Sequence, residues 1–144
     1  RYKKKRPEYK IDHRRPTTVA AYDMGSTGFY MGAGDLVSKA RQYVGRTGPS
    51  MGLPSRQWCA DFMNMISNGG TKSRLARSYA SYGQRASYGC VGCVAVMSRR
   101  GGGHVGVVSG YDAKGNPIVI SGNHGRRVAE SVYSRGRIIA YRSI

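Results

Sequence analysis

Two rhythms of apolar residues divide this sequence. Leu36, Val37, Ala40, Tyr43 and Val44 recur every three or four positions behind Asp35, which predicts a short amphipathic helix capped by that acid and stopped near Gly45. Trp58, Phe62, Met65 and Ile66 repeat the spacing, and Gly69 and Gly70 supply a stop, so a second helix is expected to start close to Cys59. A third fits residues 73–82, with Leu75, Tyr79 and Tyr82 along one side. Residues 45–55, rich in Gly, Pro and Ser, read as the loop between the first two.

From Cys90 onward the rhythm shortens. VGCVAVMSR, HVGVVSGYD, PIVISG and RIIAYRS are β-branched runs separated by glycine-rich turns, and AKGNP at residues 113–117 is placed as a hairpin loop. Helices followed by an antiparallel meander define an α+β domain over residues 35–144. Residues 1–34 carry Pro7, Pro16, Gly25, Gly28, Gly32 and Gly34 without sustained apolar periodicity, and are expected to form an extended arm.

Charge adds a partner class to this outline. Among 144 residues there are 24 Lys and Arg against 7 Asp and Glu, a formal net charge of +17. The first fifteen residues hold eight of the basic residues and two of the acids. Such a surface draws polyanions, whether nucleic acid or an anionic wall polymer, without reading their sequence. The leader is therefore either a solvated tail or a polyanion-binding arm over residues 1–15. Hydrophobic residues make up 40% of the chain, enough for one globular core, yet no apolar run approaches the roughly 18–20 residues of a membrane span. Mechanisms built on paired carboxylates have few acids to draw on. The chain begins at Arg1, not Met, and reads as processed or truncated, with no apolar signal segment.

Three cysteines cannot all pair within the chain. Cys59 is expected at the start of a helix, where unpaired N–H groups and the helix dipole favour a thiolate. The alternative for it is a small buried hydrophobe beside Trp58. A thiol nucleophile needs a base, and His104 follows three glycines at the start of an expected strand. Asn123, at the end of the neighbouring strand, has the chemistry to orient that imidazole. Cys90 and Cys93 form a CxxC with three open readings: packed thiols, a redox or disulfide pair, or part of a loose C-x2-C-x10-H-x19-H zinc pattern that would compete for His104.

WCADFMNMI, GGHVGVVSGYD, VISGNHG and the closing RIIAYR, taken in that order, resemble the CHAP and NlpC/P60 papain-like peptidoglycan hydrolases. The likeness is greatest to small CHAP-like proteins with WCAAFVN, GHVGF and GGNQ type motifs. It covers roughly residues 35–144 and includes LARSYASYG, which is similar to that group's helix before the sheet. The resemblance implies a papain-like fold with N-terminal helices packed on an antiparallel sheet. It implies Cys59 as nucleophile, His104 as general base and Asn123 as the orienting residue, with no cofactor and no metal. Many CHAP members carry a Glu two residues before the Asn, where this chain has Ser121, so Asn123 orients the ring alone or His124 takes part. Gln57, Trp58, His124 and Arg126 are the expected substrate contacts, with a backbone N–H of Cys59 in the oxyanion site.

The expected function is therefore hydrolysis of amide bonds in bacterial peptidoglycan by a Cys-His-Asn thiol mechanism. A phage virion-associated or lysis enzyme is the favoured setting, with virion proteins as candidate partners, and an extracellular or periplasmic remodelling enzyme is its near variant. The competing class is a basic nucleic-acid-binding or structural virion protein that keeps an inactive hydrolase scaffold.

Overall fold

The computed structural model describes residues 31–144, with side chains from Leu36 onward; most of the expected arm, including the basic residues 1–15, lies outside them. Helix α1 spans Met31–Arg41. Asp35 therefore sits inside the helix and does not cap it, and Met31 to Gly34 belong to α1, not to the arm. Gly32 and Gly34 lower helix propensity without forbidding it, and packing of Val37 and Ala40 into the core holds the segment helical.

Helix α2, Cys59–Ile66, starts at the residue the spacing indicated. Its Cys59, Ala60, Phe62, Met63 and Ile66 are buried, which makes it the central helix of the domain. The expected third helix is shorter and tighter, a 3-10 turn over Ala76–Ser81. A single 3-10 turn also interrupts the loop after α1 at Pro49–Met51.

Six strands follow among the described residues: β1 (Gln84–Ala86), β2 (Val94–Arg99), β3 (Gly102–Tyr111), β4 (Pro117–His124), β5 (Arg127–Val132) and β6 (Ile138–Ser143). They form one sheet in the order β1-β6-β2-β3-β4-β5, with every neighbouring pair antiparallel. The domain is thus α+β, but β2 to β5 alone form a meander, because β6 inserts between β1 and β2.

Strand alternation divides the core in two. Val94, Val96, Val105, Val107, Ile120 and Val128 face the helices and pack with Trp58, Cys59, Phe62 and Tyr79. Ala95, Met97, Val108, Val119 and Tyr133 form a smaller cluster on the other face. Across the helical layer, Arg41 of α1 reaches the buried Glu130 of β5 through Nε (3.2 Å) and Nη2 (2.6 Å), and Ser109 donates to the same carboxylate at 2.7 Å. That paired, hydrogen-bonded carboxylate fixes α1 over β3 and β5 without leaving a charge unmet.

Two glycines bring layers into close approach. A Cβ at Gly122 in β4 would lie 2.8 Å from Phe62 Cβ and 2.8 Å from Trp58 Cζ3, so α2 rests directly on the β4 backbone. A Cβ at Gly103 would lie 3.1 Å from Arg77 Cγ, which seats the Ala76–Ser81 turn against the start of β3. Of the three glycines before His104, Gly103 is the one that admits a neighbouring element; Gly101 and Gly102 face open space.

Candidate active site

Cys59 is the first residue of α2, preceded by Trp58 in a non-helical conformation. The residue is 6% exposed. Burial pushes the pKa of its thiol above the ordinary value, against smaller opposing effects from the Val105 backbone amide, the Arg99 charge and the amides of Ala60 and Cys59. The helix start does supply N–H groups to the sulfur, but desolvation outweighs them. The resting group is a neutral thiol.

Why the Val105 amide is available follows from the sheet. Val108 directs both its N–H and its C=O to the β2 side, bonding Cys93 and Gly92. Alternation then turns the peptide groups of Val105 toward β4. The β3–β4 register ends at Gly106–Ser121, one residue short of Val105, and the β4–β5 register is irregular between Ser121 and His124. The thiol is seated where the two strands part.

His104 is completely buried one residue along β3, opposite Met97 of β2. It therefore points to the face of Met97 and Ser121, while Val105 and Val107 pack on the side of Cys59. Its Nε2 is 2.8 Å from Ser121 Oγ and 3.4 Å from Tyr133 Oη. Tyr133 Oη is in turn 3.3 Å from Ser121 Oγ and 2.6 Å from His124 Nδ1. The buried Nδ1 of His104 has no hydrogen-bond partner among the described residues, and no hydrogen bond joins the ring to the thiol. Burial, with the positive charges of Arg99, His124 and Arg137, holds the His104 pKa well below its ordinary value. The imidazole is neutral, and one of its nitrogens is unspent.

Several expectations change here. Ser121, not the expected Asn123, is the side chain within hydrogen-bond distance of His104 Nε2. Asn123 adopts a left-handed backbone (φ 57°) in the irregular end of β4, which takes it out of the alternation that aims Ser121 at the ring. Trp58 is fully buried against Gly48 and Gly122 and has no face left for a substrate. His124 is half-buried and engaged with Tyr133, so its role is in the network. Gln57 (φ 49°) and Arg126 (φ 68°) are exposed loop residues, and Arg126 lines a cleft of about 420 Å³ with Arg56, Ser55, Pro49 and Thr47. That cleft lies beside the segment leading into α2.

Ser121 and Tyr133 are the site residues that sequence reasoning did not assign. The missing Glu at position 121 was a signal for the first. Tyr133 carried none, because its contacts bridge 29 residues to His104 and 12 to Ser121. Cys90 and Cys93 are joined as a disulfide, with Cα atoms 5.7 Å apart, which settles the CxxC as a pair and removes both sulfurs from the zinc pattern. Among the described residues no cluster of three or more His, Cys, Asp or Glu is arranged to hold a metal ion, and no helix is long and apolar enough to cross a membrane.

Comparisons with protein-family models, curated proteins and solved structures find no match to this chain.

Proposed function

We propose that this protein is a papain-like cysteine hydrolase that cleaves amide bonds of bacterial peptidoglycan, with Cys59 as nucleophile and His104 as base. One observation carries the reading: His104 is buried and neutral, held through Nε2, and its Nδ1 is unpartnered among the described residues, one residue from the amide that faces the thiol of Cys59. A buried imidazole nitrogen without a partner is costly, and catalysis is a common reason for keeping one. The motif order WC, GHVG and SGN supports the same assignment.

The mechanism starts from two neutral groups. In the first step of this proposal the His104 ring, which the resting fold holds on the face of β3 away from α2, must come within reach of the sulfur. The Cys59 thiol then gives its proton to Nδ1 while the sulfur attacks the carbonyl carbon. Ser121 steadies the imidazolium through Nε2. The backbone N–H of Cys59, at the head of α2, is placed to receive the oxyanion. His104 then protonates the leaving amine, and water releases the acyl-enzyme with His104 again as base. Arg56 and Arg126 supply guanidinium groups suited to the carboxylates of wall peptides. Setting the enzyme in a phage particle, or outside a bacterial cell, and assigning residues 1–15 to polyanion capture remain parts of this proposal.

A second reading has its own support. The thiol is nearly sealed and is not hydrogen bonded to His104, as in a scaffold that has kept the fold and lost the reaction. Such a protein would act through its positive charge. Dye release from purified sacculi, with intact-mass measurement of a trapped acyl-enzyme, separates the two. The hydrolase reading expects release by the wild type, none by Cys59→Ala, and the acyl adduct on Cys59. Wild-type protein that releases no dye, or a Cys59→Ala protein that releases as much, overturns it.

A further inference from the structure

We propose that the free flank of strand β6 at residues 138–140 is a docking site for an extended acidic peptide of a partner protein. The peptide continues the line of β1 along β6, and its carboxylates meet Arg85 and Arg142. The inference stands apart from the chemistry at Cys59 and holds for either functional reading.

The sheet leaves this place open. Strand β1 has three residues, and its pairing with β6 ends at Ala86–Tyr141. Beyond it the chain turns off, because Tyr88 Oη donates to the Gly115 carbonyl at 2.8 Å and its ring lies against Tyr111, with centroids 5.0 Å apart. Arg135 covers the Tyr88 ring at 3.7 Å, and the Cys90–Cys93 disulfide follows. Residues 138–140 of β6 therefore have β2 on one side and, among the described residues, no strand on the other. The β2 register passes from Val96–Ala140 to Met97–Ile138, so Ile139 is paired on neither side, and its side chain is exposed. Peptide groups on such a flank are a template for one more strand.

A groove of about 430 Å³ borders this flank, lined by the apolar Ala80, Ala86, Ile139 and Ala140 and by Arg85 and Arg142. The two arginines stand directly opposite each other in the β1–β6 register, where like charges repel. Arg142 is opposite Val94 on its other side, so both arginines share the face that carries the helices. Arg142 Nε is moreover a buried donor with no hydrogen-bond partner among the described residues, a group that costs stability until something accepts from it. No acid lines the groove among the described residues. Repulsion, an unmet donor and an open strand edge are all relieved by the same occupant. Alternation puts Ala140 on the face of Arg142, roughly 7 Å along β6, so an acidic side chain opposite Ala140 is placed to reach both guanidinium groups.

The charge of the chain decides what the occupant is. With 24 basic residues against 7 acids, a second copy has little negative charge to bring. Asp61 is paired with Arg74, Glu130 is buried against Arg41, and Asp112 accepts the Lys114 and Asn116 amides of its own turn. Residues 1–15 hold eight basic residues and two acids, a composition no better suited to an arginine pair. A nucleic acid would satisfy the arginines but has no use for the peptide edge or for Ile139. An acidic strand uses all three: main-chain groups for β6, an apolar residue for the groove and carboxylates for Arg85 and Arg142.

Fluorescence anisotropy of the full chain with a labelled heptapeptide of alternating Glu and Val tests the proposal. The expected result is saturable, salt-sensitive binding that weakens about tenfold or more in Arg85→Gln, the worth of one charge-assisted hydrogen bond. Arg85 is exposed, so its replacement leaves the core untouched. Backbone amide NMR shifts on binding should centre on residues 84–86 and 138–140. A fully N-methylated peptide of the same sequence keeps the charges and loses the strand donors, and should also bind at least about tenfold more weakly. A Lys–Val or N-methylated heptapeptide that binds as tightly as the Glu–Val peptide overturns the proposal, as does no binding at millimolar concentration. Oligothymidylate that displaces the peptide from these residues with greater affinity would assign the arginines to a nucleic acid instead, and a dimer of the full chain that closes this edge would assign it to a second copy; either result also overturns the proposal.

Discussion

Gly122 offers a quantitative test of how the Cys59 thiol is held. Replacing it with Ala would put a methyl carbon 2.8 Å from Phe62 Cβ, 2.8 Å from Trp58 Cζ3 and 2.9 Å from Trp58 Cε3. Carbon atoms in good contact sit about 3.5–4.0 Å apart, so each approach is short by about 0.6 Å or more. Phe62 and Trp58 are both fully buried and cannot swing into solvent. Overpacking of this kind costs about 1–3 kcal/mol, while the Gly→Ala change in the unfolded chain returns about 0.4–1 kcal/mol. A net loss of about 1.5 kcal/mol lowers Tm by roughly 6–12 °C for a domain near this size. Relief must come by moving the start of α2 away from β4, so alkylation of Cys59 should speed up as well. Gly125→Ala is the control. Gly125 has φ +68° but open space around its Cβ direction, so that variant carries backbone strain alone and should leave Cys59 as it was. Urea melts and iodoacetamide labelling of both variants decide the matter. A Gly122→Ala protein as stable as wild type, with Cys59 labelled no faster, would refute the packing of α2 on β4 and the seat it gives the thiol.

The same geometry bears on three other measurements. Because burial raises the Cys59 pKa, alkylation of native protein should be slow at neutral pH and climb as pH rises past 9.0; a labelling rate already at its plateau near neutral pH would contradict the neutral resting thiol. The His104 pKa is depressed in the folded state, so its contribution to stability is complete above its ordinary value of 6.5 and is lost as pH falls through 6.5 toward the folded value. Urea melts should show up to about 1.4 kcal/mol lost per pH unit in that window, a slope that His104→Gln removes. Arg85 and Arg142 stand directly opposite each other on β1 and β6. Arg85→Glu replaces that repulsion with attraction and should raise stability by about 0.2–1 kcal/mol, and a lower Tm for the variant would count against this register.

Much of the helical layer was legible in the sequence. The spacing of Trp58, Phe62 and Ile66, closed by Gly69 and Gly70, placed Cys59 at a helix start because an amphipathic face and its stop are local signals. The start of α1 was not, since Gly32 and Gly34 look like breakers until packing of the helix is known. Strand β5 was missed for a different reason. RVAESV buries Glu130 where an apolar residue is expected, and that inward acid is met by Arg41, 89 residues away, and by Ser109. The insertion of β6 beside β2 is likewise a nonlocal choice that alternation alone cannot express. At the site, Cys59 and His104 carried recognisable motifs. The replacement of Asn123 by Ser121 on the ring depended on where β4 loses its register, and Tyr133 depended on the path of the chain after β5.

The place of β6 also governs the order in which the fold can be made. Until residues 138–143 are available, β1 has no strand to pair with and one flank of β2 offers unmet peptide groups. A chain emerging from the ribosome can assemble the β2-to-β5 meander early, yet it must carry that open flank until the later segment slides in. Nascent or shortened chains are therefore the forms most exposed to strand-to-strand aggregation. A chaperone contact timed to that interval, or a refolding yield that falls as protein concentration rises, is the biological mark this topology would leave.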